Sequence, residues 1–345
     1  MLTKIFKNSV KAAIIAIMAA AVCCIATPES AAQNAMSREH RSAKKILSEA
    51  RLSRQLAFLC DSLCHGRGFT TPGGAEAGFW INREFERIGL MKFGSSYGKR
   101  VFDGKDRVGH NIVGMLPGSK YFSRDRYVVV GAHYDHLGEL SGKMYPGADA
   151  NASGTVALIN LAEMLTGIRN YGKSHNYNVI FVAFDGKEHD MAGSKAFWRM
   201  IENGDLADPQ TGKVITKEKI SLMVNIDQIG STISPLKSGR KDYMIMLGTE
   251  SLKPIKRDML QICNRMYAID LELDLTYYGS PDFTRIFYRL SDQRIFIDNG
   301  IPAVLFTSGI TMNTNKTWDT PETIDIEVFK KRIFLMYHWI EKMIQ

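Results

Sequence analysis

The stretch YVVVGAHYD (residues 127–135) decides the fold, because an apolar run typical of a strand inside a parallel sheet ends there in polar side chains. Two other apolar runs end in the same way, at residues 178–184 before Asp185 and at residues 221–226 before Asp227. Three more buried strands are predicted by the runs at 111–116, 243–247 and 302–306. Together these runs predict a large central sheet.

Helical patterns lie between these strands. Apolar residues recur on one helical face over 154–165, with Ser153 as the predicted N-cap and Gly167 as the predicted end. One amphipathic helix is predicted over 38–54 and a last helix over 326–343. The alternation predicts an α/β fold, namely a single domain with a mixed, mostly parallel central sheet flanked by helices on both faces.

The composition excludes several classes of protein. Of the 345 residues, 45% are hydrophobic and 23% are charged, which excludes a disordered chain, a collagen and a protein with many membrane spans. Five Cys without a CxxC pair argue against a disulfide scaffold and a zinc ribbon. Cys60 and Cys64 lie four residues apart on a predicted helix, where we expect buried free thiols.

Residues 1–32 have the pattern of an export signal. Basic residues precede the apolar run 12–26, and small residues follow it. We expect cleavage to leave a single domain over 33–345 in the periplasm or outside the cell. An uncleaved anchor is the alternative, although the apolar run is shorter than the ~20 residues that span a bilayer. Attachment of a lipid to Cys23 or Cys24 is a further alternative.

The charge balance bears on the partners. The whole chain has a formal charge of +8, and removing residues 1–32 takes away three Lys and one Glu, which leaves +6. The densest basic stretch, 38–54, also carries Glu39 and Glu49 among apolar residues at helical spacing, which favours a solvated helix face. We therefore expect no nucleic acid partner and no membrane span in the mature chain.

An imidazole and several carboxylates follow the predicted strands at their carboxyl ends, where open α/β sheets bind their ligands. His133 and Asp135 follow the first run, Glu188 follows the second and Asp227 the third. The loop before the helix at 154 adds Asp149. This mixture of donors is the one expected of zinc in a hydrolytic site.

The chain resembles the zinc-dependent aminopeptidase family that also includes the animal-type glutaminyl cyclases. Six segments in the same order carry the resemblance: GAHYDHLG (131–138), PGADANASG (146–154), FVAFDGKEHDMAGSKAF (181–197), NIDQIG (225–230), SDQRIFIDNGIPAVLF (291–306) and WDTPETID (318–325). The likeness extends upstream to HGRGFTTPGG (65–74) and HNIVGMLPG (110–118). It covers nearly the whole mature chain.

The resemblance implies a zinc-peptidase fold with two zinc ions joined by one carboxylate, a Glu as general base, and a peptide or amino-acid derivative as substrate. His133 and Asp227 match the ligands of one ion, Asp149 matches the bridge, and Glu188 matches a ligand of the other ion. Asp135 matches the carboxylate that holds the His133 imidazole in its ligating tautomer.

Two departures from the family pattern fall on the same half of the site. The family's base is the first Glu of a Glu-Glu pair, and this position is Lys187. Its last metal ligand is a His four residues before the Asp of an Asp-Thr pair, and this position is Asn315. Two lesser departures are Ala150, where an acidic residue commonly follows the bridging Asp, and Gln293, where the family usually has Ser-Asp-His.

The charges of the ligands predict one zinc ion. Asp149, Asp227 and Glu188 supply three negative charges, so two zinc ions and a protonated Lys187 would leave +2 in a partly desolvated cleft, which is costly. One zinc ion with Lys187 leaves no net charge. We predict a mononuclear site at His133, Asp149 and Asp227, with the Lys187 ammonium paired with Glu188 or Asp149.

Three functions are compatible with these residues. The first is an exported zinc aminopeptidase, in which Lys187 loses its proton through a lowered pKa or in which His189 or Asp190 provides the base. The second is a non-catalytic homologue that binds peptides, which Lys187 and Asn315 favour. The third is a glutaminyl cyclase, which uses one zinc ion but needs the His that is Asn315 here.

Overall fold

The computed structural model describes residues 37–104, 107–119, 125–232, 236 and 238–345. The expected export signal, residues 1–32, lies outside these residues. Within them, no helix combines the length and the apolar character that crossing a membrane requires.

The central sheet contains nine strands of the described part of the chain. They are β1 (Met91–Lys92), β2 (Gly98–Phe102), β3 (Val108–Leu116), β4 (Tyr127–His133), β7 (Asn178–Phe184), β8 (Ile220–Ile226), β9 (Tyr243–Leu247), β10 (Glu272–Asp274) and β11 (Ala303–Thr307). A separate hairpin consists of β5 (Gly138–Leu140) and β6 (Lys143–Tyr145).

The strand order is β1-β3-β7-β4-β8-β11-β9-β10, with β2 also paired with β3. The four central strands β7, β4, β8 and β11 are parallel to one another. Antiparallel pairing begins at β3 on one side and at β9 on the other, and β10 is parallel to β9. The mixed sheet with a parallel centre confirms the prediction.

The α-helices of the described residues are α1 (Arg38–Ile46), α2 (Glu49–Cys60), α3 (Pro72–Ile88), α4 (Gly154–Gly167), α5 (Ala192–Glu202), α6 (Pro254–Met266), α7 (Pro281–Phe287), α8 (Arg294–Asp298) and α9 (Ile326–Met343). The last helix has the predicted bounds. Its N-cap is Asp325, whose carboxylate accepts a hydrogen bond from the Val328 amide.

Helices cover both faces of the sheet. Along β4, Val128 and Val130 pack with α2, α3, α4 and α9 in one core. Tyr127 and Val129 point to the other face, where they pack with α5 and α8. The flanking helices on both faces confirm the α/β prediction, and Cys60 and Cys64 are buried free thiols, as expected.

The prediction of one helix over 38–54 is wrong, because α1 and α2 are separate. Leu47 leaves the helical conformation and packs into the core with 4% of its surface exposed, and Ser48 is extended with ψ 142°. Ser153 occupies the predicted N-cap position, but it is itself helical and its side chain makes no capping hydrogen bond. The side-chain oxygen of Asn151 accepts the hydrogen bond from the Gly154 amide instead.

The sheet order brings the predicted ligands to one edge. Strands β7, β4 and β8 are neighbours and parallel, so their carboxyl ends lie side by side. His133 is the last residue of β4 and pairs with Phe184, the last residue of β7. Asp227 follows the last residue of β8. These three strand ends form the floor of the candidate site.

Candidate metal centre

His133 and Asp227 are in contact at the ends of β4 and β8. His133 Nε2 lies 3.3 Å from Asp227 Oδ1, and the other oxygen of Asp227 accepts a hydrogen bond of 2.7 Å from the Ser291 hydroxyl. Only 1% of His133 and 7% of Asp227 is exposed. The pair is therefore fixed in orientation and shielded from water.

Asp135 lies behind the imidazole of His133 and is fully buried. Its backbone oxygen is 3.1 Å from His133 Nδ1, and its carboxylate Oδ1 is 3.5 Å from the same nitrogen. The two carboxylate oxygens accept hydrogen bonds from the Lys187 and Glu188 amides, at 3.0 and 3.2 Å. Asp135 thus holds both the imidazole and the turn after β7.

Asp149 lies in an irregular turn, Ala148–Ser153, immediately before α4. Its Oδ1 accepts hydrogen bonds from the Gly230 and Ser231 amides, which follow Asp227 closely in the chain. Its Oδ2 is buried and has no hydrogen-bond partner among the described residues. The turn is anchored to β8 because the Asn151 side-chain amide donates to the Ile226 carbonyl oxygen at 2.9 Å.

Burial and neighbouring charges shift the pKa values of His133, Asp227 and Asp149. Burial opposes the charged form of His133, but the carboxylates of Asp227 and Asp135 raise its pKa to about 10. Burial would raise the pKa of Asp227, but the charges of His133 and Lys187 hold it well below its usual range. Burial, and then the nearby Asp319 carboxylate, raise the pKa of Asp149 to about 7.

Lys187 and Glu188 form an ion pair on the other half of the site. Lys187 Nζ donates to Glu188 Oε1 at 2.9 Å, with 18% and 21% of the two side chains exposed. Burial would lower the pKa of Lys187, but Asp227 and Glu188 raise it above its ordinary value. The group at the family's general-base position is therefore an ammonium that pairs with Glu188.

Asn315 does not join the other site residues. It is exposed in the loop before Asp319 and has a left-handed φ of 59°, a conformation that Asn adopts more readily than most residues. Asp319 itself is buried, and its two oxygens accept hydrogen bonds from the Asp149 and Ala150 amides, at 2.9 and 3.1 Å. The loop is thus attached to the Asp149 turn, while position 315 faces solvent.

The two lesser departures have structural consequences. Ala150 is buried with 4% exposure, so no charge enters the turn at this point. The side-chain oxygen of Gln293 accepts a 2.7 Å hydrogen bond from the Asn225 side chain, which also donates to the Ser291 hydroxyl. Gln293 therefore acts indirectly, through the residues that orient Asp227.

Sequence reasoning assigned no role to several residues of this site. Arg67 is fully buried, and its guanidinium donates to the carbonyl oxygens of Leu59, Tyr134, Pro146 and Gly147. Arg67 lies in HGRGFTTPGG, a segment that shares in the family resemblance, but the sequence does not show which carbonyl oxygens the guanidinium binds. Arg67 joins the turn that contains Asp149 to the segment after His133.

Asp292 was likewise not identified from the sequence as part of the site. It is fully buried, and both of its carboxylate oxygens lack a hydrogen-bond partner among the described residues. Burial raises its pKa to about 6, while the charge of His133 lowers it. Its place between Ser291 and Gln293, in the segment that carries the family resemblance, was the sequence feature that could have indicated it.

The donors fit a zinc ion. With zinc–nitrogen and zinc–oxygen bonds of 2.0–2.2 Å, two ligands of a tetrahedral ion lie about 3.4 Å apart, close to the 3.3 Å between His133 Nε2 and Asp227 Oδ1. The unpartnered, buried Oδ2 of Asp149 is a further donor of the right type. A cation there would also offset the cost of that buried carboxylate.

A parallel sheet centre whose strand ends carry an imidazole and buried carboxylates is the fold type of the zinc peptidases. Comparison with family models gives the particular family. The model of peptidase family M28 matches residues 111–337, so this chain belongs to peptidase family M28.

Individual relatives are more distant. Leucine aminopeptidase 1 of Sclerotinia sclerotiorum is 24% identical over 268 residues, which cover 72% of this chain and 62% of the relative. The BOS complex subunit ncln of Danio rerio is 26% identical over 150 residues, which cover 41% of this chain and 25% of the relative. In both comparisons the chain spans less than two thirds of the relative's length.

Solved structures share the fold. LapB from Legionella pneumophila superposes with a TM-score of 0.67 at 16% identity, covering 89% of this chain and 75% of LapB. BSAP, a zinc aminopeptidase from Bacillus subtilis, gives 0.63 at 11% identity, with coverages of 87% and 95%. A glutaminyl cyclase of Macrostomum lignano gives 0.65 at 14% identity, with coverages of 89% and 92%.

Proposed function

We propose that this chain is an aminopeptidase-type zinc protein that holds one ion at His133, Asp149 and Asp227 and binds peptides by their amino terminus, with hydrolysis lost. The observation that carries this proposal is the Lys187–Glu188 ion pair. A cation occupies the position where the family has its general base, and it pairs with the residue that matches a ligand of the second ion.

A zinc ion held by the three residues would supply Lewis acidity toward a bound carbonyl group. The chain's own residues decide whether a proton can then be moved. Lys187 Nζ donates to the Glu188 carboxylate at 2.9 Å, so its amine is placed as a hydrogen-bond donor beside an acid and not as a base. Lys187 instead neutralises Glu188 and lowers the pKa of Asp227, which keeps that carboxylate ionised.

The two neighbouring candidates for a substitute base point elsewhere. The ring of His189 packs against Phe69, with 5.0 Å between the ring centroids. Asp190 is exposed and accepts a 2.5 Å hydrogen bond from Lys195. Neither contact involves His133, Asp149 or Asp227.

An activity assay with a restored variant tests this proposal. We expect the parent to release no product from aminoacyl chromogenic substrates with added zinc, and to bind a peptide with a free amino terminus. The double variant Lys187→Glu and Asn315→His should gain activity, because it returns the family's base, and a second ion would draw the introduced imidazole of the exposed loop toward Glu188. Asn315 already has a φ that His tolerates.

Two controls make the result interpretable. Lys195→Glu with Asn313→His places the same residue types on nearby surface positions and should stay inactive. An amino-terminally acetylated peptide should bind the parent more weakly than the free peptide. Activity of the parent that disappears in Lys187→Ala would contradict the proposal and would show that the lysine acts in catalysis.

We further propose that residues 1–32 direct export and are removed, so that the mature domain covers 33–345 in the periplasm or outside the cell. The basic and apolar pattern of the segment supports this. Mass spectrometry of the exported protein should give a first residue near 33. A mass that includes residues 1–32, or a lipid on Cys23 or Cys24, would contradict cleavage at that point.

A further inference from the structure

We infer a second metal site, remote from the cleft, in which His40 of α1 and His338 and Glu341 of α9 bind a zinc-type divalent ion. One ligand atom from each residue can be chosen so that all three lie within 4.8 Å of one another. This site uses none of the residues of the candidate metal centre, so it does not depend on the proposed function.

The contacts within the cluster leave donors free for a metal. His40 Nε2 lies 2.9 and 3.1 Å from the two oxygens of Glu341. His338 Nδ1 is 3.8 Å from Glu341 Oε2, too far for a hydrogen bond. Both ring nitrogens of His338, and Nδ1 of His40, have no hydrogen-bond partner among the described residues.

Burial makes these free nitrogens significant. His338 is fully buried, and His40 and Glu341 are 8% and 4% exposed. Buried polar groups are almost always hydrogen-bonded in native proteins, and an unpaired one calls for a partner such as an ion. An imidazole that lacks a partner on both nitrogens, beside a second imidazole and a carboxylate, offers that ion a place.

The donor set selects the kind of ion. Two imidazoles and one carboxylate suit zinc and related transition ions, whereas Mg²⁺ and Ca²⁺ take oxygen ligands. Ligands of a tetrahedral zinc ion lie about 3.4 Å apart, so the widest pair must close by at most about 1.4 Å. His338 and Glu341 are three residues apart on one helix, which places them on the same face.

Aromatic rings surround the cluster. The ring of Tyr267 stacks on His338 with 3.4 Å between centroids, and Phe334 meets the same ring edge-on at 4.4 Å. Tyr267 and Phe334 also line a cleft of about 430 Å³ on the outer side of the cluster. The aromatic shell keeps the ligands out of water.

An ion in this site would act as a tether between distant parts of the chain. His40 and Glu341 are 301 residues apart in sequence, so an ion here would fasten the first described helix to the last one. A clip that closes a long loop stabilises the folded chain more than one that closes a short loop. We therefore expect zinc to raise the melting temperature through this site.

The test uses the full-length chain with its cleft disabled by His133→Gln and Asp227→Asn. After metal removal, zinc is titrated and the bound zinc is counted by mass spectrometry, while the melting temperature is followed. We expect one equivalent to bind and the melting temperature to rise. Adding His338→Gln should remove that equivalent and the zinc-dependent rise.

His175→Gln in the same background is the matched control, because His175 is also a buried imidazole but donates to the Leu165 carbonyl oxygen and lies outside the cluster. It should keep the equivalent. If His338→Gln does not fold, Glu341→Gln takes its place. The inference is overturned if the cleft-disabled protein binds no zinc, or if zinc binding survives both cluster substitutions. Either result leaves the proposed function untouched.

Discussion

The two halves of the cleft differ in how firmly their residues are held. Asp149 and Asp227 receive hydrogen bonds from backbone amides and from Ser291, and they lie within the buried edge of the sheet. Lys187 and Glu188 bind each other near the surface, and Asn315 is exposed. The half with intact ligands is built by the fold, whereas the changed half balances its own charge without a second ion.

The largest effect should come from the intact half. Asp227→Asn keeps the shape but replaces an ionised zinc ligand with a neutral amide, which is a much weaker donor to the ion. We expect zinc affinity at the cleft to fall about 1,000-fold, measured by competition with a chelating dye. Asp258→Asn, an exposed carboxylate, is the control. An unchanged affinity in Asp227→Asn would mean that the ion lies elsewhere.

Arg67→Lys should have the next largest effect. A lysine cannot reproduce the fork that reaches four buried carbonyl oxygens, and leaving some of them unpaired should lower the free energy of unfolding by about 3 kcal/mol. Urea unfolding measures the change. Arg54→Lys on the exposed side of α2 should change it by less than about 0.5 kcal/mol. A similarly small change in Arg67→Lys would refute the role given to this guanidinium.

The pH dependence of zinc binding should report the protons held by His133 and Asp149. Between pH 7 and about 10 the ion displaces one proton, from His133, and below pH 7 it displaces a second from Asp149, whose pKa is raised to about 7. As the pH is lowered, affinity should therefore fall about tenfold per pH unit between 10 and 7 and about 100-fold per unit below 7. A tenfold slope throughout would mean that Asp149 is already ionised.

Lowering the pH weakens zinc binding, but it increases the contribution of Asp149 to the free energy of unfolding. Without metal, the raised pKa of Asp149 favours the folded state at low pH, because the folded carboxyl keeps its proton when the unfolded one loses it. This contribution is complete below pH 3.8 and is lost as pH rises toward 7. In Asp149→Asn that part of the pH dependence should be absent from unfolding curves. Its persistence would assign it to another group.

The smallest effect concerns the changed half. Lys187→Met removes the cation and leaves Glu188 free, so a second zinc ion should bind about tenfold more tightly than to the parent. The titration is best made with His338→Gln present in both proteins, which removes the remote cluster. The control is Lys195→Met, since the Lys195 ammonium binds the exposed Asp190 instead of Glu188. It should leave the affinity for a second zinc ion unchanged. No gain in Lys187→Met would mean that its charge does not exclude the second ion.

Much of this architecture could be predicted from the sequence. The apolar runs predicted β4, β7 and β8, because strands that are buried on both faces are apolar at successive positions. The polar residues that follow these runs predicted the position of the site. The break between α1 and α2 was missed because the apolar spacing continues through Leu47, which packs into the core. Ser48 at the N-cap of α2 and Glu49 in its first turn were the local signal for a new helix start.

The contents of the site were only partly predictable. Spacing and family likeness located His133, Asp149 and Asp227, but the sequence left two partners open for Lys187, and the structure pairs it with Glu188. Arg67 and Asp292 gained meaning only from their surroundings. The cluster of His40, His338 and Glu341 joins helices from opposite ends of the chain, so no spacing could indicate it.

The central claim is that the cleft holds one ion, and an anomalous difference map at the zinc edge tests it most directly. Crystals of the full-length protein grown with excess zinc should show one cleft peak, among His133, Asp149 and Asp227, with the Lys187 ammonium beside Glu188. A second cleft peak at Glu188, or no peak next to His133, would contradict the account.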